Sequence, residues 1–154
     1  MSPLPMLAPD AAMVLGIAAT AIPFARTPED EAERWLRVLR LHGEVGTALQ
    51  ALGVSEDSLR IHAVKAERDA GAPRPAEQRD VIELVTEHSA RIAAERGSRG
   101  VATIDVLVAL LEVYGAVFER ALRAHGTDAD EVFERLAVAV PPGLSADLAA
   151  PSPG

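Results

Sequence analysis

The 154-residue chain has no cysteine, few aromatic residues (3%) and too few cations to balance its acids, with 15 Lys+Arg against 23 Asp+Glu. Each shortage excludes something. Without cysteine there is no disulfide, no thiolate nucleophile and no thiolate zinc site, a composition that suits a reducing cytoplasm. The formal charge of −8 leaves no basic field for a phosphate backbone, and so few rings make no base-stacking platform, so nucleic acid is not an expected partner. Long hydrophobic runs are missing too. The most apolar stretch, residues 11–25, is too short to span a bilayer, is interrupted by Thr20 and Pro23, and follows Asp10 with no Lys or Arg upstream. It reads as a core helix rather than a signal peptide or membrane span, and the expected location is cytoplasmic with no membrane partner.

What is present is aliphatic. Hydrophobic residues make up 49% of the chain, mostly Ala, Leu, Val and Ile, and they recur at spacings of three and four, the period of helices packed on one another. Prolines gather at the ends, so residues 1–8 and a Pro-rich tail at 139–154 are expected to be loose. Between them, Pro9-Asp10 opens a first helix with Val14, Leu15, Ile17, Ala18 and Ile22 on its apolar face. Thr27-Pro28-Glu29-Asp30 starts a second with a hydroxyl cap, a proline in the first turn and carboxylates at the positive helix end. A third helix spans 45–52 and closes at Gly53, and Ser55-Glu56-Asp57-Ser58 begins a fourth running to about residue 70.

After Gly71-Ala72-Pro73-Arg74-Pro75 the plan repeats. A long helix over 76–95 carries Val81, Ile82, Leu84, Val85 and Ile92. Thr103 is the expected cap of the next, which bears Val106, Leu107, Leu110 and Leu111. A short helix over 117–124 stops at Gly126, and Thr127-Asp128-Ala129-Asp130 starts the last, with Val132, Phe133 and Leu136 inward. The two halves align on Ala48-Leu49-Gln50-Ala51-Leu52-Gly53-Val54 and Ala121-Leu122-Arg123-Ala124-His125-Gly126-Thr127, an offset of 126 − 53 = 73 residues. The expected fold is all-α: two pseudo-symmetric four-helix repeats in one domain over 9–138, repeat one 9–70, linker 71–75 and repeat two 76–138.

Chemistry-bearing groups are sparse. His42, His62, His88 and His125 include no pair three or four residues apart, so no local metal site is expected, and each reads as a helix-end or surface histidine. His88-Ser89 beside Glu87 cannot form a nucleophilic relay, because adjacent helical residues diverge by about a hundred degrees. No set of acid, base and nucleophile emerges, and the chain is expected to be neither an enzyme nor cofactor-dependent. Arg91, Arg96 and Arg99 beside Glu87 and Glu95 read as a solvated helix end, or as a dock for an acidic partner.

Val101-Ala102-Thr103-Ile104-Asp105-Val106-Leu107-Val108-Ala109-Leu110-Leu111 resembles the Ile-Gly-Thr-Glu-His-Leu-Leu-Leu-Ala-Leu-Leu element of the Clp N-terminal repeat domain, found at the front of Clp unfoldases. The two Ala-Leu-x-Ala-x-Gly elements, each followed by an acidic helix start, are similar to that family as well. The likeness extends over about residues 7–137 and is to a stand-alone N-domain, since no Gly-x-x-x-x-Gly-Lys-Ser/Thr phosphate loop occurs in the chain. It implies a docking module for Clp unfoldase, adaptor or substrate proteins that regulates Clp proteolysis. It equally admits a sink for hydrophobic cyclic-peptide antibiotics that target Clp N-domains, or a plain helical scaffold or oligomerisation unit. The family's phenylalanines at the groove between repeats correspond here to Leu7 and Arg74, so the resemblance implies a ligand groove rimmed by Leu7, Arg74 and Glu77 and floored by Val14 and Val81. The family's acidic residue after the capping threonine, which would pair with a phosphoarginine, is replaced by Ile104, which forms no ion pair. In the first half Glu29, Glu31 and Glu33 are the alternatives for the same place.

Overall fold

The computed structural model describes residues 6–55 and 80–136. Beyond Ser55, the helix expected to run to about residue 70, the linker 71–75, residues 76–79 and the chain from 137 with its tail 139–154 lie outside the described residues. In chain order come β1 (Met6–Leu7), α1 (Pro9–Ala21), a 3-10 turn (Ile22–Phe24), α2 (Pro28–Leu39) and α3 (Gly43–Ala51), then α4 (Asp80–Glu95), β2 (Gly100–Val101), α5 (Thr103–Tyr114), α6 (Ala116–Ala124) and α7 (Ala129–Arg135). The described chain is therefore mostly helical, in line with the all-α class.

The helices gather around α5, whose residues from Asp105 to Leu111 are all buried. A helix with no wettable side needs neighbours all round, and α1, α2, α3, α4 and α6 all pack against it. The core joins both halves: Val14, Ala18, Trp35, Leu36 and Leu49 share one cluster with Val85, Leu107, Leu110, Phe118 and Phe133.

Several ends form as the residues dictate. The Thr27 hydroxyl accepts the Asp30 N–H at 3.0 Å, with Pro28 as the first residue of α2. Helices α3, α4 and α6 end alike, the N–H groups of Val54, Ser98 and Thr127 reaching back to the carbonyls of Leu49, Ala93 and Leu122 at 3.0, 2.9 and 3.1 Å. Such closure needs a left-handed residue, and Gly53, Gly97 and Gly126 supply it with φ of 96°, 75° and 87°.

Other ends depart from expectation. Thr103 does not cap α5. The cap is Ala102, and Asp105 accepts the Ala102 N–H at 2.9 Å while Arg96 clamps both Asp105 oxygens at 2.9 and 2.7 Å. The Thr103 hydroxyl turns instead to the start of α3, 3.5 Å from the Val45 nitrogen, packed so tightly on Gly43 that a Cβ there would sit 2.6 Å from it. Within the expected start at 127–130, Asp128 caps α7 through the Glu131 N–H at 2.8 Å, and the buried Thr127 hydroxyl has no hydrogen-bond partner. Met6 and Leu7 fall in the segment expected to be loose, yet pair in parallel with Gly100 and Val101. Ile17 and Leu84, placed by periodicity on apolar faces, are exposed.

Polar ties cross between the halves. Trp35 Nε1 donates to the Tyr114 hydroxyl at 3.0 Å, and that hydroxyl donates to Glu31 at 2.6 Å. Tyr114→Phe deletes both bonds and strips the buried indole of its acceptor. The expected loss is about 1–3 kcal/mol of unfolding free energy, measured by urea denaturation with the single tryptophan as the probe.

Candidate functional site

The sequence points to a groove between the halves. Where α1 packs against α4, Val14 is fully buried as part of the core, and Val81 is half-buried against the same cluster. Leu7 is exposed on β1 and Leu84 is exposed on α4. Arg74 and Glu77, the expected rim, lie outside the described residues. Of these side chains Val14 is closed off in the core, Val81 is partly covered against it, and Leu7 and Leu84 are open to solvent on their own elements.

Helices α2 and α5 begin in the same register. Ile104 is the second residue of α5 and Glu29 the second residue of α2, while Asp105 and Asp30 are each the third. Both aspartates are buried and accept a backbone N–H from just upstream of their helix, that of Ala102 for Asp105 and that of Arg26 for Asp30, the latter at 3.3 Å. Of the three glutamates, Glu29 is exposed, with Arg120 4.0 Å away, whereas Glu31 binds Tyr114 and Glu33 binds His125. The second position of α2 is thus an exposed carboxylate, where the second position of α5 is an isoleucine.

Two of the described histidines are held by glutamates. His125 stands at the end of α6 as expected, but its ring is buried and Nε2 lies 2.6 Å from Glu33 across 92 residues of sequence. No periodicity reveals this pair; a histidine just before a closing glycine is the sole hint. His88 Nδ1 is 2.7 Å from Glu112 on α5, His42 precedes α3, and His62 lies outside the described residues. Buried Ser89 gives its hydroxyl to the Val85 carbonyl at 2.7 Å, which takes it away from any relay with His88. The arginines expected as a solvated end are partly structural: Arg91 bridges Glu95 and Glu112, Arg96 holds Asp105, and Arg99 is exposed. Among the described residues no three His, Cys, Asp or Glu side chains converge as a metal site, and no helix is long and apolar enough to cross a membrane.

The Glu119 carboxyl on α6 is displaced upward from its ordinary range. Burial raises it, against the pull of the Ala129 N–H at the start of α7, 3.2 Å away, and of Arg123. No protein-family model matches the chain, nor does any curated protein or solved structure.

The sign of the Glu119 effect follows by linkage. A carboxyl whose folded pKa is raised binds its proton more tightly in the native state, so its contribution favours folding at low pH and is lost as pH rises through the folded value. Relative to Glu119→Gln, the parent chain should therefore lose stability between the ordinary carboxylate range and neutrality. Paired thermal melts across that window check this, and parallel profiles would contradict it.

Proposed function

We propose that the chain is a non-enzymatic, two-repeat binding module of the Clp N-domain kind, which docks a Clp unfoldase, adaptor or substrate protein at the seam of α1 and α4. The observation that carries this reading is the recurrence of helix register and packing across the two halves. Helices α3 and α6 have nine residues each, offset by 73 at both ends, and both finish at a left-handed glycine. Helices α2 and α5 have twelve each, with a buried aspartate third in both. Exchanging the halves maps three neighbour pairs onto three others: α1 on α2 becomes α4 on α5, α2 on α3 becomes α5 on α6, and α2 on α6 becomes α5 on α3, whereas α1 on α5 has no counterpart of like extent. Contact of α1 with α4 and of α2 with α5 maps onto itself, as a pseudo-twofold axis requires. A fourth helix in the first repeat belongs to this proposal and falls outside the described residues.

The seam then carries the function through Leu7, Val81 and Leu84, an apolar rim suited to a peptide segment. Calorimetric titration with a Clp unfoldase, its adaptors and an apolar cyclic peptide tests it. Binding to a Clp protein, weakened about tenfold or more by Leu84→Glu, an expected loss of roughly 1.4 kcal/mol or more, is the predicted result. Binding to the cyclic peptide alone would make the chain an antibiotic sink, and binding to none of them would overturn the Clp reading.

A further inference from the structure

Helix α1 is apolar on every side, yet only one side is covered. Ala11, Val14, Leu15, Ala18 and, just beyond, Ile22 form its buried stripe. At about 100° per residue, Met13, Ile17 and Thr20 lie on the opposite side, spaced four and three residues apart, and Phe24 follows in the 3-10 turn beyond the helix. Met13 is 52% exposed, Ile17 38% and Phe24 74%. Gly16, beside them, adds a second observation. A Cβ there would meet nothing within 4 Å and the backbone is ordinary helix, so the fold does not call for a glycine that weakens a helix interior relative to alanine.

We propose that this outer face pairs with the same face of a second copy of the chain, antiparallel about a twofold axis near Gly16, with Ile17 of each copy seated over Gly16 of the other. Charge selects this occupant. Each chain carries a formal −8, but no ionisable side chain lies between Asp10 and Arg26, so two acidic molecules can meet here without opposing like charges. Asp10 and Arg26 are both exposed. An antiparallel pairing brings Asp10 of each copy toward Arg26 of the other and opposes the helix dipoles, whereas a parallel one sets like against like. The strip from Pro9 to Ala21 is roughly 20 Å long and about 10 Å wide, well below the ~800 Å² per partner of a standard stable interface. The dimer is accordingly weak and concentration-dependent.

Sedimentation velocity from micromolar to millimolar chain decides it, and because the sample contains this protein alone the result is independent of the Clp reading. The expected outcome is a dimer that grows with concentration and vanishes in Ile17→Glu. Gly16→Ala should raise the melting temperature of the dilute protein while weakening association several-fold. Asp10→Arg should weaken it too, and adding Arg26→Asp should restore it. A chain monomeric throughout, a dimer indifferent to Ile17→Glu, or a Gly16→Ala variant that gains stability without losing association would overturn the proposal and leave the face to a different protein. Should circular dichroism show Ile17→Glu unfolded, the charge exchange decides alone.

Discussion

Everything in this fold depends on the burial of α5. Seven consecutive residues, Asp105 to Leu111, are shut from water, and a helix in that state exists only if other helices enclose it. The enclosure draws on both halves, with α1, α2 and α3 from the first and α4 and α6 from the second. The only charged group in that run, Asp105, is tolerable because Arg96 and the Ala102 N–H satisfy both of its oxygens. The core is built from branched aliphatics and three large buried rings, Trp35, Phe118 and Phe133, which explains how so small an aromatic share suffices: the rings sit where helices from different halves meet.

Several local signals were readable where the deciding partner lay within one helical turn. Thr27-Pro28 with Asp30 is such a case, and so are the glycines at 53, 97 and 126, because cap and closure are settled by neighbours in sequence. Thr103 misled for the opposite reason. Its hydroxyl has two possible uses, the local cap and the distant Val45 N–H, and tertiary packing against Gly43 chooses the second. The same limit hides His125 with Glu33 and Tyr114 with Glu31, whose partners are 92 and 83 residues apart. Strands of two residues give no alternation to detect, so the pairing of Met6–Leu7 with Gly100–Val101 was beyond pattern.

The candidate site was legible in kind more than in detail. Apolar periodicity correctly put Val14 and Val81 against the core but could not separate closed from open positions. It assigned Ile17 to an inward face because a helix like α1, with apolar residues nearly all round, has no phase for periodicity to read, and Leu84 to the apolar face of α4, where it is exposed. The comparison of α1 with α5 is instructive here: two helices of similar composition, one enclosed on all sides by its own chain and the other on one side only.

The ties between halves also bear on synthesis. A nascent chain that has emerged only as far as α3 already contains Glu31, Glu33 and Trp35, but Tyr114 and His125 are still to be translated. Closing loops of this length costs entropy that grows only slowly with length, so the delay is one of timing more than of energy. The first half leaves the ribosome with the indole donor and two acids of its future core lacking these partners, and it completes its interior only when α5 and α6 follow.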